Sequence, residues 1–137
     1  MRQTPHTLPI LQKLGFIYHI DNLSRDEPSI LNVNGKSFAV VPYTERNNDI
    51  MRFANPSFTA GAFAQDLKDE FDVLYAEAGT RRRLMSISVH DRIGGAPARV
   101  EAYSEFIAYA LNHPGVVFMR KDEITIWALS QPDTPHD

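Results

Sequence analysis

Cysteine is absent from the 137 residues. That excludes disulfides, thiolate metal sites and a cysteine nucleophile together, and it fits a reducing compartment. Long apolar runs are missing as well. None nears the roughly 20 residues that cross a bilayer, and Met1-Arg2-Gln3-Thr4-Pro5-His6 lacks the apolar stretch of a signal peptide. The expectation is a soluble, cytoplasmic chain with no membrane partner. Positive charge is scarce: 14 Lys and Arg stand against 17 Asp and Glu, for a formal charge of −3. Without a basic stripe carrying interleaved aromatics, nucleic acid is not an expected partner. The one dense cluster, Arg81-Arg82-Arg83, precedes a strand-like segment and reads as a solvated edge. Metal-ligand spacing is missing too. His6, His19, His90, His113 and His136 contain no i, i+3 or i, i+4 pair, so no metal or other cofactor is expected in this chain. No serine sits in a G-x-S-x-G elbow.

What is present is ordinary globular material, 43% hydrophobic and 23% charged, long enough for one domain with a core. Thr7 is placed to cap a helix over 8–14, stopped by Gly15. Phe16–Ile20 reads as a strand ending at Asp21-Asn22. Ile30–Val33 and Lys36–Val41 flank Asn34-Gly35, the strongest hairpin signal in the chain. Residues 43–56 show no period and read as a long irregular loop. Thr59 opens a helix over 60–78 with Phe63, Leu67, Phe71, Leu74 and Tyr75 on one face. A strand over Leu84–His90 follows, then a loop over 91–97. A helix over 98–112 places Val100, Tyr103, Phe106, Ile107 and Ala110 together. His113-Pro114-Gly115 breaks it, 116–119 reads as a short buried strand, 122–129 as a last helix, and 131–137 as a flexible tail. Strands alternating with helices imply an α/β class with a largely parallel sheet and the hairpin as an insertion. Three core strands close no barrel, which takes roughly 250 residues, and such a sheet leaves edges exposed.

The chemistry concentrates at Leu84-Met85-Ser86-Ile87-Ser88-Val89-His90-Asp91-Arg92-Ile93-Gly94-Gly95. Met85, Ile87 and Val89 alternate onto one face and Ser86, Ser88 and His90 onto the other. An imidazole at the carboxyl end of a strand is held where α/β folds place reactive groups, and near neutral pH it gives or takes a proton. Asp21 also ends an expected strand and is a candidate for fixing the histidine tautomer or for binding substrate. It also fits the ordinary turn role of aspartate. Tyr43, Asn48 and Asp49 lie on the long loop as candidate substrate contacts, beside the plainer reading of solvated loop residues. Gly94-Gly95 reads as a turn, with a backbone approach to an anion as the weaker alternative.

Ser86–His90 with Asp91–Arg99 resembles the last motif of the polysaccharide deacetylase superfamily. His113-Pro114-Gly115-Val116 and Asp122-Glu123-Ile124 with Trp127 follow in the family's order. Val41-Pro42-Tyr43 with Asn48-Asp49, and Asp21-Asn22 with Asp26-Glu27-Pro28, are similar to its chitooligosaccharide deacetylase and allantoinase-like branch. The similarity runs from about Thr4 to Leu129. It implies a partial (β/α) barrel of the polysaccharide deacetylase type with an inserted β-hairpin, residues 1–130 forming the carboxyl-terminal half of the domain. It also implies hydrolysis of non-peptide carbon–nitrogen bonds, such as N-acetyl groups or cyclic ureides, with His90 as general acid. The family's catalytic aspartate pair, its His-x-x-x-His metal ligands and its arginine motif belong to the other half. Arg2 lies too close to Thr4-Pro5 to stand for that arginine. A divalent metal such as zinc would therefore be a matter for the complete domain. The expected partners are a small-molecule or oligosaccharide substrate and a chain supplying the missing half. The alternative is a non-catalytic, truncated or assembly module that pairs with another chain or with its own copy.

Overall fold

The computed structural model describes residues 3–137; Met1 and Arg2, on which the signal-peptide and arginine readings partly rest, lie outside the described residues. In chain order the elements are α1 Thr7–Lys13, β1 Tyr18–His19, β2 Ser29–Val33, β3 Lys36–Val40, α2 Asp49–Phe53, α3 Ala60–Glu77, α4 Asp91–Gly94, α5 Pro97–Leu111 and α6 Lys121–Ser130. They fall into two compact units. One joins the described residues up to Tyr43 with Met119–Asp137, and the other is Thr44–Phe118.

The first unit is built on a three-stranded sheet in the order β1-β3-β2. β1 runs parallel to β3, with Tyr18 opposite Ala39, and β2 runs antiparallel to it, with Leu31 opposite Phe38. One parallel and one antiparallel pair thus stand where a largely parallel sheet is expected. Asn34 (φ 51°) and Gly35 (φ 78°) make the turn between β2 and β3, and the Gly35 N–H donates to Asn32 Oδ1 at 2.8 Å. Two positive φ values in succession are what a tight hairpin demands and what Asn-Gly tolerates. Ile30, Val33, Phe38, Ala39 and Val40 are buried. α6 packs on β2 and β3 through buried Thr125 and Ala128, and Lys121 Nζ donates to the Pro42 carbonyl at 2.7 Å. Thr7 is the first helical residue of α1 rather than its cap: His6 holds the cap position, and the Thr7 hydroxyl accepts from the Thr4 N–H at 3.0 Å. Gly15, at φ 87°, stops that helix.

Of residues 131–137, expected as a flexible tail, 135–137 run along β2. The Ile30 N–H donates to the Pro135 carbonyl at 2.8 Å, the Asp137 N–H to the Ile30 carbonyl at 3.0 Å, and the Ser29 hydroxyl to Asp137 Oδ2 at 2.6 Å. The backbone edge of β2 supplies this docking, and a side-chain pattern carries no sign of it.

The second unit rests on α3 against α5. Thr59 accepts from the Ala62 N–H at 3.1 Å and caps α3. Phe63, Ala64, Leu67 and Phe71 meet Ala102, Phe106 and Ala110 in the buried cluster. The face of α5 is turned from the expected one. Val100 and Ile107 are 47% and 42% exposed, while Ala102, Phe106 and Ala110 form the buried row of α5. Two further expectations fail here. Leu84–His90 forms no strand, only a single bridge from Ser88 to Asn48, and Val89 is 55% exposed. Residues 116–119 likewise form no strand, and Val117 is 71% exposed. Extended backbone becomes a strand only where it pairs along a ladder with a neighbouring strand. The expected loop over 43–56 contains α2, and the loop after His90 contains α4. Among the described residues, no helix is long and apolar enough to cross a membrane.

Candidate active site

α2 and the extended segment before α4 lie side by side through two backbone bonds. The Ser88 N–H donates to the Asn47 carbonyl at 3.0 Å, and the Asp49 N–H donates to the Ser88 carbonyl at 3.3 Å. This single rung brings together two residues that stand 41 apart in sequence. His90 Nδ1 lies 2.6 Å from Asp49 Oδ1, and the His90 backbone N–H donates to Asp49 Oδ2 at 2.8 Å. The Ile50 N–H also donates to Asp49 Oδ1, at 2.7 Å. Asp49 is completely buried, whereas the His90 side chain is 37% exposed.

An ionised carboxylate only accepts hydrogen bonds. The ring proton facing Asp49 therefore belongs to Nδ1, an assignment made from the hydrogen-bond network. Nε2 is left as the atom that accepts or, once protonated, delivers a proton. The ring is fixed on one side by a group that water does not reach. His90 also opens α4: its carbonyl accepts from the Gly94 N–H at 2.7 Å.

The surround is apolar and aromatic. Tyr103 packs edge-on against Phe63 with ring centroids 5.4 Å apart. Its hydroxyl is buried without a hydrogen-bond partner, and burial, followed by the Asp49 charge, pushes its pKa up to about 12. Arg99 stacks over Phe53 at 4.0 Å and donates to the Ile93 carbonyl at 2.8 Å, which pins the turn between α4 and α5.

The structure thus gives His90 a partner that sequence reading left among loop residues. Asp49, not Asp21, takes the Nδ1 side of the ring. Asp21 is exposed beyond β1, in the other unit, where its charge acts on His19. Tyr43 closes that unit, its N–H donating to the Ile20 carbonyl at 3.0 Å. Asn48 lies at the start of α2. It is buried and caps α2, Oδ1 accepting from the Ile50 N–H at 3.1 Å. Asn48 before Asp49 is a cap followed by an acid in the first turn, the signal from which α2 could have been read. Arg81 and Arg83 both pair with Glu77 and hold its carboxyl below the usual range, Arg83 foremost.

A metal does not fit this site. Among the described residues no three His, Cys, Asp or Glu side chains come together as a ligand set. Asp49 has both oxygens engaged by His90 and Ile50. What remains is one half of acid–base chemistry, a positioned imidazole.

No family model matches the sequence. A Schizosaccharomyces pombe protein provisionally assigned as a polysaccharide deacetylase is 29% identical over 100 residues, 71% of this chain and 31% of that protein. Three solved structures are similar throughout. A provisionally assigned polysaccharide deacetylase from Pseudomonas aeruginosa PAO1 shares 37% identity with a TM-score of 0.83, covering 96% of this chain and 45% of its own. Puue allantoinase shares 38% identity at 0.83, covering 97% and 46%. A Mycobacterium smegmatis structure provisionally assigned to the same group, at 21% identity and a TM-score of 0.85, covers 99% and 49% and shares the fold. This chain therefore resembles the polysaccharide deacetylase superfamily over nearly its whole length, and it spans a little under half of each solved relative.

Proposed function

We propose that this chain is the carboxyl-terminal part of a polysaccharide-deacetylase-like hydrolase of non-peptide carbon–nitrogen bonds, with His90 as its general acid. The observation that carries the reading is the buried Asp49 carboxylate 2.6 Å from Nδ1 of the part-exposed His90 ring, which leaves Nε2 to take up and deliver a proton. Hydrolysis of an amide or ureide breaks a C–N bond after water adds to the carbonyl carbon. The departing nitrogen must gain a proton, or it leaves as an unstable anion. Nε2–H supplies that proton, and the positive charge on the ring just before transfer is held by Asp49. A base that takes the proton from water comes, in this reading, from the part of the domain that the chain does not span.

The test is a completed domain assayed on an N-acetylated oligosaccharide and on a cyclic ureide. His90→Ala should lower turnover about 10²-fold or more with the fold retained, since a positioned acid contributes roughly that much. Undiminished turnover in that variant overturns the assignment.

A specific observation favours a second reading, an assembly module. The outer edge of β2 is covered by 135–137, while among the described residues no strand covers the outer edge of β1. Next to β1, Leu14, Phe16 and Ile17 are 69%, 54% and 43% exposed. An open strand edge beside apolar residues is a template for another strand. Solution mass decides which strand it is. A stable dimer without activity supports the module reading, and a chain that needs the other half of the domain supports the hydrolase.

A further inference from the structure

We infer that Gly94 is a positioning residue for the Asp49–His90 pair: its missing side chain is the space in which the Asp49 carboxylate turns onto the imidazole. The inference rests on the hydrolase reading above for its functional meaning, and on geometry for everything else. A Cβ built at Gly94 would lie 2.7 Å from Val89 Cγ1, 3.0 Å from Asp49 Oδ2 and 3.1 Å from Tyr103 Cε2. Three neighbours thus close on a point where only a hydrogen fits. One of them is the oxygen that accepts the His90 backbone N–H.

The glycine has little freedom to retreat. Its N–H donates to the His90 carbonyl at 2.7 Å, and the next residue's N–H donates to the Asp91 carbonyl at 2.9 Å. A Cβ at Gly95 would itself lie 2.3 Å from that Asp91 carbonyl oxygen. The two glycines therefore serve close backbone and carboxylate approach, not an anion. Arg99 holds the Ile93 carbonyl from the far side at 2.8 Å. With the turn pinned, the carboxylate is what gives. Displacing Oδ2 by a few tenths of an ångström rotates the whole group about its Cβ–Cγ bond, which carries Oδ1 out of line with Nδ1. Hydrogen bonds weaken steeply with misalignment.

Gly94→Ala alone also strikes Val89 and could disturb folding for that reason. The informative variant is Val89→Ala with Gly94→Ala, which removes the 2.7 Å collision and leaves those at Asp49 and Tyr103. Val89→Ala alone is the control. The readout is the His90 ring tautomer, measured by long-range ¹H–¹⁵N correlation on the full chain with thermal unfolding beside it. Val89→Ala should keep the Nδ1–H tautomer of the wild type. The double variant should lose it at a near-unchanged melting temperature, and in a completed domain turnover should fall roughly 10-fold or more, as expected for a reacting group moved by a fraction of an ångström. Retention of the Nδ1–H tautomer in the double variant overturns the inference. So does a double variant that fails to fold where Val89→Ala folds, because the space would then serve the core and not the carboxylate. Loss of the tautomer in the double variant, in a domain whose wild type turns over neither substrate, sinks the hydrolase reading and leaves the role of Gly94 standing.

Discussion

Each unit places one histidine at the end of an extended segment, and the two are handled in opposite ways. In the first unit His19 is 8% exposed, stacks on Phe38 with centroids 6.1 Å apart, and buries Nε2 without a hydrogen-bond partner. In the second, the His90 side chain is 37% exposed and gives Nδ1 to a fully buried carboxylate. Burial pushes the His19 pKa down, and the nearby Asp21 charge opposes that only in part. A neutral ring buried this way is a piece of core. A half-exposed ring held on one nitrogen by a buried carboxylate is what the proposed proton transfer requires. Position at the end of an extended segment does not separate the two rings; the buried carboxylate does.

The sharpest way to break this contrast is to remove that carboxylate. Asp49→Ala leaves the His90 N–H and the His90 ring without their acceptor and the Ile50 N–H with Asn48 Oδ1 alone. Leaving a buried hydrogen-bonding group without its partner costs about 1–3 kcal/mol. Urea unfolding should show a loss of that size, with amides of α2 and α4 exchanging first. A loss under about 1 kcal/mol would mean that Asp49 is not the anchor of the site.

A smaller effect should appear at His19 with pH. Its folded-state pKa lies below the ordinary 6.5. Just below 6.5 the unfolded chain therefore binds a proton that the folded chain does not. Stability is complete above that value and falls as pH drops through the window toward the folded pKa. Melting temperature measured downward from about pH 7.5 should decline there, and His19→Phe should flatten the decline. An unchanged slope in the variant would remove His19 from the account.

Smaller again is the docked carboxyl terminus of the first unit. The Ser29 hydroxyl, and then Arg25, hold the Asp137 carboxyl below its usual 3.8. The contribution is present above that value and is lost as pH falls below it. At neutral pH Asp137→Asn should cost about 1 kcal/mol or less, since its ion pair is with the 40% exposed side chain of Arg25 at the surface. Faster amide exchange at Ile30 and Asp137 is the measurement. Unchanged exchange would mean that the backbone rung alone holds 135–137.

How legible these features were in the sequence follows a physical line. Local signals carried through. Thr59 caps α3, Gly15 and Gly115 sit at φ 87° and 83° where helices end, and Asn34-Gly35 turns between paired strands. His90 was singled out by its place after an alternating segment. What escaped depends on a partner remote in sequence. Leu84–His90 reads as a strand, but a strand needs a neighbour, and it has one rung. α2 is five residues long, too short to show a period. Asp49 meets His90 across 41 residues, and no spacing rule reaches that far. The faces of α5 misled because alanine, at 102 and 110, carries little hydrophobic weight yet lies in the buried cluster.

The smallest expected effect tests whether the surround of the dyad is apolar core or part of the chemistry. The Tyr103 hydroxyl is buried with no acceptor, and its pKa of about 12, raised by burial and then by Asp49, keeps it protonated across the physiological range. A buried donor without a partner costs about 1–3 kcal/mol, and replacing it with an apolar group of the same shape is close to neutral or stabilising. Tyr103→Phe keeps the ring that packs on Phe63 and borders Gly94. The chain should then be as stable as wild type, or more stable by up to about 1 kcal/mol, with the His90 tautomer unchanged. A clear loss of stability would show that the hydroxyl has a partner in solution. A changed tautomer would place that hydroxyl in the hydrogen-bond network of Asp49. Either result would move Tyr103 from the core side of the contrast between His19 and His90 to the chemical side.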